Sequence, residues 1–286
     1  MGNLFISSLI DGLLIGFVYG IAALGLSLIW GVMDVINLAH APLMALGMFG
    51  VYLLFTSLGL NPYIALVLIA VIGLASGIVI YYIAIHRVLS APPLSTLLAT
   101  YAVNMIMIGV GTAIFSTTPQ NVNFTLGSIG NGEVTVQGTR LVAAAVATIV
   151  TGGLYFFLYR TRPGKNIRAV ANNRNAAELM GIPSGRVLAI SFGIGTMLAA
   201  LSGGLIATFF PFTILAGNAY QLKSFVIVVM GGLGNPLGVL AGGMILGVME
   251  GMIPIFLPNS WVPVLEFILF VIILLVRPSG LFGAKK

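Results

Sequence analysis

YRTRPGKNIRAVANNRNAAELMGIPSGR, residues 159–186, is the one long polar interruption in an otherwise apolar chain. Six of the twelve basic residues fall within it: Arg160, Arg162, Lys165, Arg168, Arg174 and Arg186. Apolar runs flank it on both sides. How this segment is read decides which way up the protein sits and what surface it offers outside lipid.

Composition sets the class. Of 286 residues, 59% are hydrophobic and 6% charged, and the mean hydropathy is +1.14, whereas soluble domains carry about a quarter charged residues. An integral membrane protein is expected, one membrane domain over residues 1–286, divided into spans of about 20 residues. Apolar runs cover Leu4 to Trp30, Ile36 to Phe55, Pro62 to Ile85, Leu94 to Phe115, Leu141 to Tyr159, Val187 to Phe210, Phe225 to Leu233, Leu237 to Leu257 and Val262 to Val276. They lack the alternation of a barrel, and in lipid the helix then satisfies every backbone group. The expected fold class is all-α: a polytopic transmembrane helix bundle of about nine spans, within a range of eight to ten, with broken helices. The seventh run is too short to cross about 30 Å of hydrocarbon unless it begins near Tyr220 or is half buried in protein.

Lys and Arg collect on the cytoplasmic side of membrane proteins. If Arg87, the segment 160–186 and the tail from Arg277 to Lys286 are cytoplasmic, only Arg140 and Lys223 remain outside. That arrangement requires an odd number of crossings after residue 186. It gives nine passes, with the N-terminus outside and the C-terminus in the cytoplasm. The loop 116–139, with Glu133 as its one acid, then forms a small external lid or hairpin. The start has no basic n-region and runs into a long span, which predicts a retained helix rather than a cleaved signal. The basic residues sit at the ends of apolar runs and not among aromatics on a polar face, so the formal charge of +6 points to topology and membrane lipid, not to nucleic acid.

Glycines at four-residue spacing, Gly12, Gly16 and Gly20, then Gly234, Gly238 and Gly242, then Gly243, Gly247 and Gly251, predict close helix packing inside the protein, with a subunit contact as the alternative. Polar residues within apolar runs are costly unless they face a cavity or a partner, so they mark a pathway by default. Asn37 and His40, followed by Pro42, are the first such group. For His40 the alternative is a hydrogen-bonded structural role. The glycine break around Gly231 and Gly232 is the second, because unwound backbone can face a cavity. Asn104, Glu250 and Glu266 are isolated, and the two acids, with no basic partner in their own segments, leave proton coupling open. Glu250 and Glu266 equally fit positions near helix ends. There is no cysteine, no Walker A sequence, no HExxH and no serine elbow. No metal or cofactor site is expected in this chain, and its energy source is expected to act in trans or as an ion gradient.

Within the basic segment, Asn172 or Asn173 is placed to cap a short helix through Arg174 to Met180, closed by Gly181. Ala176 and Ala177 leave room for close docking, and Leu179, Met180 and Ile182 form an apolar edge. Read alone, it is equally an interfacial loop anchored by its charges.

The chain resembles the inner-membrane permease subunits of branched-chain amino acid ABC importers, the LivH/LivM type. The resemblance rests on the Gly164 to Ile182 run with its AAELMGI end, on Val35-Ile-Asn-Leu-Ala-His40, on Lys223-Ser-Phe followed by Gly231-Gly-Leu-Gly-Asn-Pro-Leu-Gly238 and Gly242 to Glu250, and on Arg277-Pro-Ser-Gly-Leu-Phe-Gly283. It covers nearly the whole chain in order, departing at Ala41 and Pro42, where the family often has glycine and a polar residue. The resemblance implies a bacterial or archaeal inner-membrane importer subunit. Its partners would be a second homologous permease, the same or different, two cytoplasmic ABC ATPases that bind ATP and Mg, and an external solute-binding protein. It also implies ATPase coupling through Arg168 and Asn175, Ala176, Ala177, Glu178, Leu179, Met180 and Gly181, with Glu178 and its neighbours in a cleft on the ATPase. Asn37, His40, Asn104, Gly231, Gly232 and Glu250 are the expected pathway residues. The family's substrates include aliphatic amino acids, urea, short amides and aromatic acids. A proton-coupled secondary transporter using Glu250, Glu266 or His40 is the competing class.

Overall fold

A computed structural model of the chain describes residues 2–130, 135–277 and 280–282. Glu133, Pro278, Ser279, Gly283 and Lys286, all named above, lie outside the described residues. The apolar runs are helices: α1 Gly2–Met33, α2 His40–Leu58, α3 Pro62–Ile80 continued by a π-helical turn Tyr81–Ile85, α4 Pro93–Phe115, α5 Gly138–Arg160, α8 Ser184–Ala207, α9 Ala216–Gly231, α10 Pro236–Phe256 and α11 Trp261–Val276. Two short helices, α6 Arg162–Asn172 and α7 Arg174–Leu179, make up the basic segment, and a hairpin of β1 Ser128–Gly130 and β2 Thr135–Gln137 lies in the loop before α5. Among the described residues, seven helices are long and apolar enough to span a membrane. The other two in the bundle, α9 and α11, have 16 residues each, about 24 Å of helix. The short seventh run is thus the C-terminal part of a helix that starts well before it.

Helix ends carry the signals that local sequence can supply. Asn61 caps α3, Thr161 caps α6, Asn173 caps α7 and Asn235 caps α10, each accepting a backbone N–H from its own first turn. Proline stands in the first turn of α3, α4, α6 and α10, where its missing N–H costs nothing.

Packing is by small residues. A Cβ on Gly16 would lie 2.7 Å from the Gly243 carbonyl oxygen, and one on Gly243 would lie 2.7 Å from that of Gly16. Gly12 and Gly247 meet in the same way one turn on. The first and third of the predicted stripes therefore face each other, and α1 and α10 touch backbone to backbone. Helix α8 is the centre, buried along nearly its whole length by α1, α2 and α3. Its polar residues are spent locally: Ser191 and Ser202 donate to carbonyls of their own helix, and Thr196 to its own helix and the Gly73 carbonyl.

The helices run alternately between two ends. At one end, Asp11 pairs with Arg140 at 3.0 Å beside the β-hairpin, and Gln120 pairs with Phe212 after α8. At the other, α6 packs under the last turns of α1 and α5, with the α9–α10 turn alongside; Ser27, Gly31, Tyr159, Arg168, Gly234 and Pro236 line the cleft between them.

Candidate functional site: a polar segment at one end and a buried polar group at mid-depth

The basic segment is tied down by few contacts. Arg168 donates from Nε to the Leu158 carbonyl at 3.1 Å and lies over the Tyr159 ring at 4.3 Å, which fixes α6 to the end of α5. Ile167 and Val170 are its buried face. In α7, Asn173 accepts the Ala176 N–H at 2.9 Å and Gly181 closes the turn at φ +80°, where a side chain is strained. Ala177 is buried, whereas Asn175 and Ala176 are exposed. Glu178 is held by the Ser184 hydroxyl and by Arg174 Nε at 3.1 Å, one helical turn away. The Ser184 hydrogen bond first, and Arg174 with it, keep the carboxyl below the usual carboxylate range. This acid is therefore engaged within its own segment. What the segment offers outward is apolar: Leu179 is 89% and Met180 82% exposed. Both are large apolar side chains on an otherwise polar turn.

The second group lies inside the bundle. Residues 34–39 are not helical, and Val35, Asn37 and Ala39 are buried. The Ile36 carbonyl accepts the Thr100 hydroxyl at 3.0 Å, and Thr100 stands seven residues into α4, about 10 Å from its start. The chain thus climbs back into the bundle in extended form, and α2 begins beside Ala22, well before the end of α1. Irregular backbone at such depth occurs where protein buries it or a cavity faces it. Its partner is the start of α9, which also begins at depth: Gln221 Oε1 accepts the Ala41 N–H at 2.9 Å, and any side chain at Gly217 would strike the Ala41 carbonyl. Asn37 Oδ1 accepts the Ala39 N–H at 3.1 Å. Asn37 Nδ2 and both ring nitrogens of His40 are buried without partners; the ring faces the Ala22 carbonyl without a well-formed hydrogen bond. Asn104 lies one turn beyond Thr100 on the same buried face of α4, which is otherwise Thr96 and Gly111. Of the predicted pathway residues, Asn37 thus belongs to this buried irregular stretch, His40 begins the helix directly after it, and Asn104 lies one turn beyond the threonine that bonds to it.

The remaining three do not join it. Gly231 and Gly232 belong to the α9–α10 turn at the α6 and α7 end, where Gly231 meets Gly238 and Val239, and the Leu281 N–H bonds to the Met230 carbonyl at 2.8 Å. Glu250 is paired with Lys223 of α9 at 2.5 Å, and Glu266 of α11 lies 3.5 Å from the same ammonium, which sits 4.9 Å from the Tyr19 ring centre. The acids lack basic partners in their own helices but share one from a third. Arg140 and Lys223, counted as external charges, are thus both neutralised inside the fold.

Gln221, Gly217, Lys223, Thr100 and Ser184 were not singled out as site residues. The available signal was an apolar run too short to span, preceded by Gln221 and Lys223: a helix that starts early and buries polar residues.

A family profile described as "Branched-chain amino acid transport system / permease component" matches residues 8–274. The high-affinity branched-chain amino acid transport system permease protein LivH of Salmonella typhimurium is 29% identical, over 99% of this chain and 96% of its own. The corresponding protein BraD of Pseudomonas aeruginosa is 27% identical, over 99% and 97%. Among solved structures, PsaBC from Streptococcus pneumoniae in complex with Fab is similar in fold, with a TM-score of 0.54 at 16% identity, covering 98% of this chain and 97% of that one.

Proposed function

The chain belongs to the branched-chain amino acid transport permease family, and on that premise we propose that it is the membrane subunit of an ATP-binding-cassette importer. It is a single membrane domain of nine crossings, with the N-terminus outside and the C-terminus in the cytoplasm of a bacterial or archaeal cell. The alternation of the helices between the two ends and the gathering of basic residues at the α6 and α7 end support this orientation. Its cargo is a small, predominantly aliphatic amino acid handed over by an external binding protein. A second permease completes the pathway, and two cytoplasmic ATPases bind the ATP and Mg.

The observation that carries this reading is α7: a capped helix at the basic end, closed by a left-handed glycine, whose exposed tip is Leu179 and Met180. That tip, with Asn175 and Ala176 beside it, is the ATPase contact. Arg168 and Glu178 hold the element in shape. Asn37, His40 and Asn104, all buried, are the part of the pathway this chain supplies. Lys223 weighs against gradient-driven transport, because Glu250 and Glu266 are committed to an ammonium group and are not free carriers. Proteoliposomes with the complete importer test the proposal. Uptake of L-leucine is expected to need binding protein outside and ATP inside. Uptake by this chain alone under a proton gradient would refute it, and uptake of urea or short amides instead of L-leucine would refute the cargo.

A further inference from the structure

We infer that the point where α2 and α9 begin is a carboxylate-binding site, with Asn37 Nδ2, the His40 ring N–H and the Ala41 N–H as donors and Gln221 Oε1 holding the carboxylate's place until substrate arrives. The inference rests on the importer reading and adds to it the group by which the substrate is recognised.

The orientation of the two amides is set by their backbone partners. A backbone N–H can only donate, so the atom of Asn37 beside the Ala39 N–H is the oxygen, and the atom of Gln221 beside the Ala41 N–H is also the oxygen. Asn37 Nδ2 therefore stands at the first turn of α2, buried and without an acceptor. His40, the first residue of α2, is likewise buried, and a neutral imidazole carries one N–H. Asn37 Nδ2 has no acceptor, the His40 ring faces only the Ala22 carbonyl without a well-formed hydrogen bond, and the Ala41 N–H beside them is met by a neutral group, the side-chain amide oxygen of Gln221.

Position favours an anion. Both helices present their N-termini here, the Gly217 backbone pressed on the Ala41 carbonyl, and α9 has no side-chain cap. The positive ends of two helix dipoles favour negative charge. The neighbouring acids Glu250 and Glu266 are occupied by Lys223 and do not supply that charge here. A carboxylate bonds to N–H donors about twice as strongly as an amide oxygen does, so it displaces Gln221 and frees α9 to move away from α2. Recognition of cargo and opening of the path are then one event.

The test uses the complete importer in proteoliposomes, with L-leucine and carboxylate-free acetamide as probes, and reads uptake together with ATPase stimulation by the binding protein. Asn37→Ala and His40→Ala are expected to lower L-leucine uptake about tenfold or more while stimulated hydrolysis stays near wild type. His40→Gln, which keeps a donor, restores most of the uptake. Gln221→Ala, which removes the competing acceptor, transports L-leucine at a lower half-saturating concentration. A parallel loss of uptake and hydrolysis in Asn37→Ala and His40→Ala would reduce both residues to structural parts and overturn the site, as would unchanged uptake. ATP-driven uptake of acetamide without L-leucine would also overturn it, leaving the importer reading intact. No ATP-driven uptake of either probe would remove both.

Discussion

Replacing Lys223 by methionine removes the one cation from a buried cluster of three charges. Its ammonium lies 2.5 Å from Glu250 and 3.5 Å from Glu266, and the lysine and Glu266 side chains are only 15% and 5% exposed. Breaking a buried ion pair by removing one partner costs about 3–5 kcal/mol, because the charge left behind keeps its desolvation penalty. Here two carboxylates are left behind, and they repel each other. Lys223→Met is therefore expected to lose at least about 3 kcal/mol, roughly 6 °C or more in thermal midpoint. Glu250→Gln with Glu266→Gln strands the ammonium and should cost a similar amount. The triple variant Lys223→Met, Glu250→Gln, Glu266→Gln carries no charge at the site and should recover most of the loss, since replacing a whole buried ion cluster by neutral groups is often neutral or stabilising. Thermal midpoints of the detergent-solubilised protein, read by fluorescence-detected size exclusion, check the series. A Lys223→Met protein as stable as wild type, or a triple variant no better than Lys223→Met, would refute the assignment of the cluster as an ion-paired structural pin for α9.

Gly243→Val would force side-chain atoms into the Gly16 and Gly20 backbone, separating α1 from α10 at a cost of about 1–3 kcal/mol or more; the thermal midpoint and the yield of monodisperse protein report it. Asn173→Ala removes the cap of α7 at a cost of about 1 kcal/mol of helix stability, expected as faster hydrogen exchange at residues 176–179 with the spans unchanged. The Glu178 carboxyl is held below its usual range by Ser184 and Arg174, so its support of α7 is fully present above the usual carboxylate range and is lost as pH falls through the lowered value. Exchange in α7, corrected for its intrinsic pH dependence, should accelerate on acidification in wild type, whereas Glu178→Gln should be fast throughout; identical profiles would remove the clasp.

Local chemistry made part of this structure readable in advance. The apolar runs became helices because lipid leaves the backbone few other options, and α7 was recognisable because an asparagine cap and a closing glycine act within a few residues. The facing stripes Gly12, Gly16 and Gly243, Gly247 were visible as stripes. Distance in sequence hid the rest. Glu250 and Glu266 looked unpartnered because their lysine sits on a third helix, and that lysine looked like a loop residue because the apolar run starts after it. Glycine marks a break but not its depth: the Gly231 turn lies at one end of the bundle, whereas the break before His40 is inside it. Nor did spacing disclose that Gln221 caps another helix, because a side chain reaching a backbone N–H from the far end of the chain leaves no periodicity.

In the proposed importer, energy enters through the tip of α7. In the complete importer, Leu179→Asp with Met180→Asp leaves every contact within the chain described above in place and alters only the exposed tip. The decisive measurement is ATP-driven L-leucine uptake and binding-protein-stimulated hydrolysis by this double variant in proteoliposomes. The prediction is a correctly assembled permease pair with uptake abolished and hydrolysis no longer stimulated by the binding protein. Uptake at the wild-type rate, still coupled to hydrolysis, would contradict it.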